Sequence, residues 1–293
     1  MKFGYFCNTT NWTHKPYHKL LDETKQITEY CDQNSWNSIW FTEHHFNHEG
    51  MESCTNPLML GADAAARTKN IRIGQAANVI TFHNPIRLAE DIATLDQLSK
   101  GRVEVGVARG VYGREAINLN KEADLKDQAK NFRLFAETLE ILKKAWSEKF
   151  FNHNGEFYTY PSPNYVWQHD MSPPSEEFMN MEDSTMKKIS VLPKPYQNPH
   201  PPIHQVVDGI RSIEWAAENN INVIMWIPTV KALKIRFEAY KNKRSEVTKK
   251  NVPLGEGVTL VRDMFVADTM EEAKEKAGQH MVCLLYTSDA ADE

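Results

Sequence analysis

Cysteine is scarce in this chain. Its 293 residues hold four, Cys7, Cys31, Cys54 and Cys283, far apart and without a C-x-x-C pair. That spacing argues against a zinc framework and for free thiols in a reducing cytosol. A basic block is missing too. Lys and Arg number 34 against 39 Asp and Glu, for a net charge of −5, and no stripe of aromatic and basic residues appears. A nucleic-acid partner is therefore not indicated. No apolar run approaches the roughly 18 residues that span a membrane, and the opening strand-like run is too short for a signal-peptide core. The expectation is a cytoplasmic globular protein, long enough for one large α/β domain or two ordinary ones with a sizeable core.

What the chain does have is alternation. Short apolar runs of the kind that make buried parallel strands fall at 2–7, 39–41, 71–74, 103–107, 203–207, 222–226 and 259–265. Helical patterns separate them: 18–33, a helix opened by Asn56-Pro57, another opened by Asn84-Pro85 and ending near 99–101, a long one at 121–148, then 212–219, 229–243 and from 269 onward. Seven β-α units in series, each crossover long enough for a helix, predict an α/β fold whose parallel sheet closes toward a TIM (β/α)₈ barrel, cut short before the eighth unit. Residues 150–202 break the rhythm, being rich in Pro, Asn and aromatics, and read as an excursion over the barrel mouth. The barrel is assigned to 1–282 and the last residues, 283–293, to a non-native tail. Strand edges left unpaired by a missing unit are an aggregation hazard, so the chain is expected to be poorly soluble or inactive alone.

Chemistry gathers where strands end. The run Ile39-Trp40-Phe41 stops in Glu43-His44-His45. A lone His after a strand is more often structural than catalytic, but two beside a Glu bring the balance to even. Arg109-Gly110 follows the fourth strand, a guanidinium beside a residue that lets the backbone approach, which suits a phosphate monoester as well as a structural ion pair. Asp208-Gly209-Ile210-Arg211-Ser212 follows the fifth and offers free N–H groups at a helix start; taken singly, a plain capped turn explains it better. The three occupy equivalent positions, and in a barrel the carboxyl ends of the strands are where active sites form. Tyr112 and Trp226 are candidate apolar walls, with barrel packing the simpler account of Trp226. A metal-dependent hydrolase competes, since His and Glu are ligands. Against it, neighbouring residues on a strand point to opposite faces, so His44 and His45 do not both reach one ion unless the strand has ended. No metal ligand is assigned.

Glu43-His44-His45-Phe46, Thr55-Asn56-Pro57, Ala76-Ala77 followed by His83-Asn84-Pro85, 95–102 (LDQLSKGR), Arg109-Gly110-Val111-Tyr112 and Glu214-Trp215-Ala216-Ala217 together resemble the bacterial luciferase-like flavin monooxygenases, most of all the alkanal monooxygenase α-subunit type. The resemblance implies a TIM barrel that takes reduced FMN from a flavin reductase. There the flavin reacts with O₂ to give a C4a-hydroperoxyflavin that oxidises a small substrate, an aldehyde to a carboxylic acid. It implies that His44, Glu43 and His45 are the catalytic residues, with His44 as the general acid/base beside the flavin. It places FMN against Ala76, Ala77, Arg109, Gly110, Val111, Tyr112, Asp208, Gly209 and Ser212, with Arg109 on the phosphate and a non-prolyl cis peptide at Ala76-Ala77. The family's usual Glu-Ser is Asp208-Gly209 here, which makes that part of the cradle different. The position of a reactive Cys in the luciferase α subunit is Ala108, so light emission is expected to be weak or absent. A homo- or heterodimer is also implied. Within the superfamily, hydride transfer with a deazaflavin and a non-catalytic partner subunit stay open.

Overall fold

In the computed structural model the described residues are 1–226 and 229–278. In chain order they form β1 (Gly4–Cys7), α1 (Tyr17–Gln33), β2 (Ser38–Phe41), α2 (Pro57–Arg67), β3 (Arg72–Gln75), β4 (Asn78–Val79), α3 (Pro85–Ser99), β5 (Val103–Ala108), α4 (Gly113–Leu119), α5 (Gln128–Ser147), β6 (His153–Asn154), β7 (Thr159–Tyr160), β8 (Ile203–Val206), α6 (Ile210–Glu218), β9 (Asn222–Trp226), α7 (Val230–Thr248) and β10 (Val258–Val261). A last helical stretch occupies 270–278. The main sheet is parallel throughout and runs β1-β2-β3-β5-β8-β9-β10, with short β4 added beside β5. This is the TIM-barrel type of α/β fold, nearly closed. Among the described residues no ladder joins β10 to β1.

Ring contacts show how far the sheet has curled. Trp40 on β2 and His204 on β8 lie 5.2 Å apart although two strands separate them along the sheet, so the contact crosses the barrel interior. Phe6 on β1 meets Trp226 on β9 at 4.7 Å in the same way. Outside the sheet, Ile39, Phe41, Ile73, Val103 and Val105 share one core with Ala89 and Ile92 of α3 and Leu139 and Leu142 of α5. Small residues in α2 permit close packing: a Cβ on Gly61 meets Leu95 of α3 and Ile73 of β3.

The Asn-Pro pairs work as helix starts. Asn56 Oδ1 accepts from the N–H of Met59 at 2.9 Å, and Asn84 Oδ1 from those of Ile86 and Arg87 at 3.0 and 3.2 Å. Proline follows at the first helical position, where its missing N–H costs nothing. No helix among the described residues is long and apolar enough to cross a membrane. Cys7, Cys31 and Cys54 are free and buried. Cys283, Met281 and the whole 283–293 tail lie outside the described residues.

Two expectations need correcting. The long helix at 121–148 begins only at Gln128, where the Asp127 side chain caps it through Lys130 N. Before it come a separate seven-residue helix, α4, and a single turn at Lys121–Ala123 capped by Asn120. The 150–202 segment does not cover the mouth. Glu137 of α5 accepts three consecutive N–H groups, from Glu156, Phe157 and Tyr158, which pins the β6–β7 hairpin to the outer flank of that helix. Tyr160 reaches only the rim, at Asn84. The segment then returns to the opposite end of the barrel. There Asp96 holds Gln197, and Pro202 accepts from Val105.

Candidate active site at the carboxyl ends of the strands

Glu43 follows β2 by two residues and is buried, 2% exposed. One oxygen faces His83 Nε2 at 2.8 Å and His45 Nε2 at 3.1 Å, and the other accepts the N–H of Val79 at 2.7 Å. Burial by itself drives this carboxyl upward, but the hydrogen bonds from His45, His83 and Val79 outweigh it and hold it below the usual carboxylate range. His83 moves the other way: burial lowers it, yet Glu43 raises it overall. Every lone-pair direction that matters on Glu43 is taken. A cavity of about 520 Å³ opens beside Glu43, His45 and His83, between α2 and α3; His44, Tyr112 and Arg109 do not line it.

His44 faces different neighbours. Its Nε2 lies 3.3 Å from Glu52 and its Nδ1 3.5 Å from Glu115, and its ring sits 5.4 Å from that of Tyr112. Glu115 is fully buried on α4 and accepts the N–H of His45 at 2.6 Å. Burial, with the Glu52 carboxylate adding to it, pushes the Tyr112 phenol well above its ordinary range. Arg114, stacked on Tyr112 at 5.4 Å, grips Asn47 and Glu49 and so closes the 47–52 loop over this corner. Sequence reasoning missed Glu52 and Glu115. Glu115 is distant from His44 in sequence, Glu52 follows His44 within the same loop, and no motif marks either.

The Ala76–Ala77 peptide is cis. Its loop is fastened on three sides: Ala76 N–H to the Phe41 carbonyl at 2.7 Å, Asn78 Nδ2 to the Gly106 carbonyl at 3.1 Å, and Val79 to Glu43. Gly106 has to be glycine, because a Cβ there collides with the Gln75 carbonyl. Buried polar atoms without a partner remain nearby in the strands, among them Gln75 Nε2 on β3 and Gln205 Oε1 on β8.

Arg109 stands just past β5, half-buried, with its guanidinium 5.9 Å above the Phe132 ring. Among the described residues it has no carboxylate partner, and burial lowers its pKa below the usual arginine value. Gly110 follows with φ +90°, a conformation that L side chains avoid, and with Phe82 against its Cβ direction. Val111 is exposed. β5 and β8 are neighbours, so Asp208 and Gly209 come off the strand next to Arg109. Gly209 caps α6 without a side-chain bond, which leaves N–H groups of the first turn free. Ser212 is partly buried in that turn, and exposed Asp208 pairs with Arg236 at 3.4 Å. Among the described residues no three His, Cys, Asp or Glu side chains converge as a metal site.

A parallel barrel with an imidazole, a guanidinium that has no carboxylate partner among the described residues, and a helix start at the carboxyl ends of β2, β5 and β8 is an arrangement that suits a small organic molecule carrying an anionic group. Comparison with known proteins makes this specific. The chain belongs to the luciferase-like monooxygenases, whose family profile matches residues 1–292. It is 27% identical over 292 residues to the oxygenase component of the flavin-dependent trigonelline monooxygenase of Acinetobacter baylyi, covering 98% of this chain and 71% of that one. It is also 27% identical to an alkanal monooxygenase alpha chain of Photorhabdus luminescens, covering 84% of this chain and 59% of that one. Among solved structures, the oxygenating constituent of 3,6-diketocamphane monooxygenase from Pseudomonas putida, a type II Baeyer-Villiger monooxygenase in complex with FMN, has the same fold. Its TM-score is 0.77 at 22% identity, over 95% of this chain and 71% of that one.

Proposed function

We propose that this protein is a flavin-dependent monooxygenase that takes up reduced FMN and oxidises a small aldehyde to its carboxylic acid. The observation that carries the reading is Arg109: a half-buried cation without an anionic partner among the described residues, next to the free N–H groups that open α6. A phosphate monoester supplies the missing charge, and charge-assisted hydrogen bonds of this kind are the strong ones. Gly209 and Ser212 complete that cradle, with Asp208 turned toward Arg236. The Ala76–Ala77 backbone forms one wall for the ring, and the unpartnered Gln75 Nε2 and Gln205 Oε1 fit a ring edge carrying carbonyls and an imide N–H. The A. baylyi relative is flavin-dependent by name, and the camphane enzyme of the same fold was solved with FMN.

When bound, reduced FMN supplies two electrons to O₂, one oxygen atom entering the substrate and the other leaving as water. The chain's own residues do the rest. His44 exchanges a proton with the reacting oxygen, since imidazole does so near neutral pH. Tyr112, Val111 and Gly110 shape the corner beside it. Glu43 and His45 act one step back, by fixing the loop that carries Ala76 and Ala77. Phe6 and Trp226 pack edge-to-face across the barrel interior and line it with apolar surface. A cytoplasmic setting, a separate flavin reductase and pairing into a dimer complete the proposal.

The test mixes the protein with reduced FMN, then with oxygenated buffer, with and without a long-chain aldehyde. Flavin reoxidation slower than that of free reduced FMN, hastened by aldehyde and yielding stoichiometric acid, is the expected result. Reoxidation at the free rate with no acid formed contradicts it, and substrate-dependent flavin reduction without oxygen uptake points to hydride transfer instead.

A further inference from the structure

We infer that Glu52 and Glu115 are positioning residues that hold the His44 ring from its two nitrogens. The inference rests on the reading of His44 as the proton-exchanging group. Both carboxylates are buried, Glu115 at 0% and Glu52 at 8% exposure. Among the described residues neither pairs with a lysine or arginine; each faces a ring nitrogen of His44, and Glu52 also meets the Tyr112 phenol. Each also keeps one oxygen, Oε2, with no hydrogen-bond partner, and His44 Nδ1 has none either. Burying a carboxylate without satisfying it is costly, and two such groups on either side of one ring are hard to explain as packing. Glu43, the residue before His44, shows what a carboxylate that fastens a loop looks like here: both oxygens are engaged.

The two carboxylates are not equivalent. Glu115 is fixed from below by the His45 N–H at 2.6 Å and meets Nδ1, so it orients the ring. Glu52 sits on the loop that Arg114 closes, next to Tyr112, and meets Nε2, the nitrogen left to exchange its proton with the reacting oxygen. The distances of 3.3 and 3.5 Å exceed those of good hydrogen bonds, the loose geometry that catalytic groups show before a substrate tightens them. A neutral imidazole has one N–H, and its location is set by whichever acceptor competes better. The two carboxylates therefore pull the tautomer in opposite directions.

That opposition is the test. In protein labelled with ¹⁵N-histidine, His44 is assigned by the resonance lost in His44→Gln. Glu115→Gln shifts its neutral form toward the Nε2–H tautomer, and Glu52→Gln shifts it toward Nδ1–H, while Glu52→Asp, which keeps the charge, returns it toward the wild type. Turnover falls about 10- to 100-fold in either Gln variant with KM for reduced FMN unchanged, and neither variant costs anything further once His44 is Ala. Shifts of the same sign, no shift, or losses that add to that of His44→Ala overturn the proposal. The tautomer readout needs no activity, so a wild-type protein without oxygenase turnover refutes the proposed function and leaves this inference to be decided separately. If Glu115→Gln does not fold, the two Glu52 variants decide it.

Discussion

Both ends of this barrel carry a histidine against a glutamate, and they are finished differently. At the amino-terminal end Glu104 binds His204 at 2.7 Å and Arg72, and Arg72 also reaches the Val103 carbonyl and Gln197. Burial works against the Glu104 charge, but His204 and Arg72 together hold its carboxyl below the usual range. One polar atom is left over there, His204 Nδ1. At the carboxyl end His44, Glu52 and Glu115 leave three atoms without partners, and Arg109 has no counter-charge among the described residues. The same residue types make a closed structural network in one place and an open, waiting one in the other. Completeness of hydrogen bonding, more than residue identity, separates scaffold from site.

Variants at the two ends should therefore fail in different ways. The largest effect belongs to His44→Ala: turnover falls at least about 100-fold, as for loss of a general acid–base group, while the melting temperature stays within a few degrees; steady-state kinetics and a thermal scan report both. Glu104→Gln should do the reverse. It breaks a buried ionic network and costs about 3 kcal/mol, read by urea unfolding, with turnover per folded molecule unchanged. Gly110→Ala comes next, at about 1–2 kcal/mol, because φ +90° is strained for any side chain and Phe82 fills the space. The smallest effect is conditional on pH. Glu43 is depressed, so its contribution is present above its unfolded value and lost in acid. His83 is raised, so its contribution is full below its unfolded value and fades as pH rises through its folded one. The stability difference between wild type and His83→Gln should be greatest between about pH 5 and 6.5 and shrink above it, by thermal melts across pH; a difference that grows with pH refutes the Glu43–His83 account.

Much of this was legible in the sequence because it is local. The Asn-Pro helix starts, the short apolar strands and the clusters that follow them are set by neighbours in the chain, and they appear where the pattern put them. The cis peptide at Ala76–Ala77, which the family resemblance implied, is also present. What depends on distant partners was not legible. Glu115 meets His44 from α4, a helix hidden because it is seven residues long and opens on Gly113, although Asn120 and Asp127 stood ready as cap signals for the breaks. Glu52 is a near neighbour of His44 in the chain, but it lies in an irregular loop where no periodicity or motif marks it. The 150–202 segment was misplaced for a related reason: it is held by contacts far apart in sequence, such as Glu137 with 156–158, Asp96 with Gln197 and Lys194 with the end of α5, none of which a local pattern shows.

The central claim is that the open end, at Arg109, holds the phosphate of reduced FMN. Anaerobic titration of reduced FMN into wild type and Arg109→Met, with reduced riboflavin as control, tests it most directly. The account predicts binding weakened by about tenfold or more in the variant, with little change for riboflavin. Equal affinity of the two proteins for reduced FMN, or an equal loss for both flavins, contradicts it.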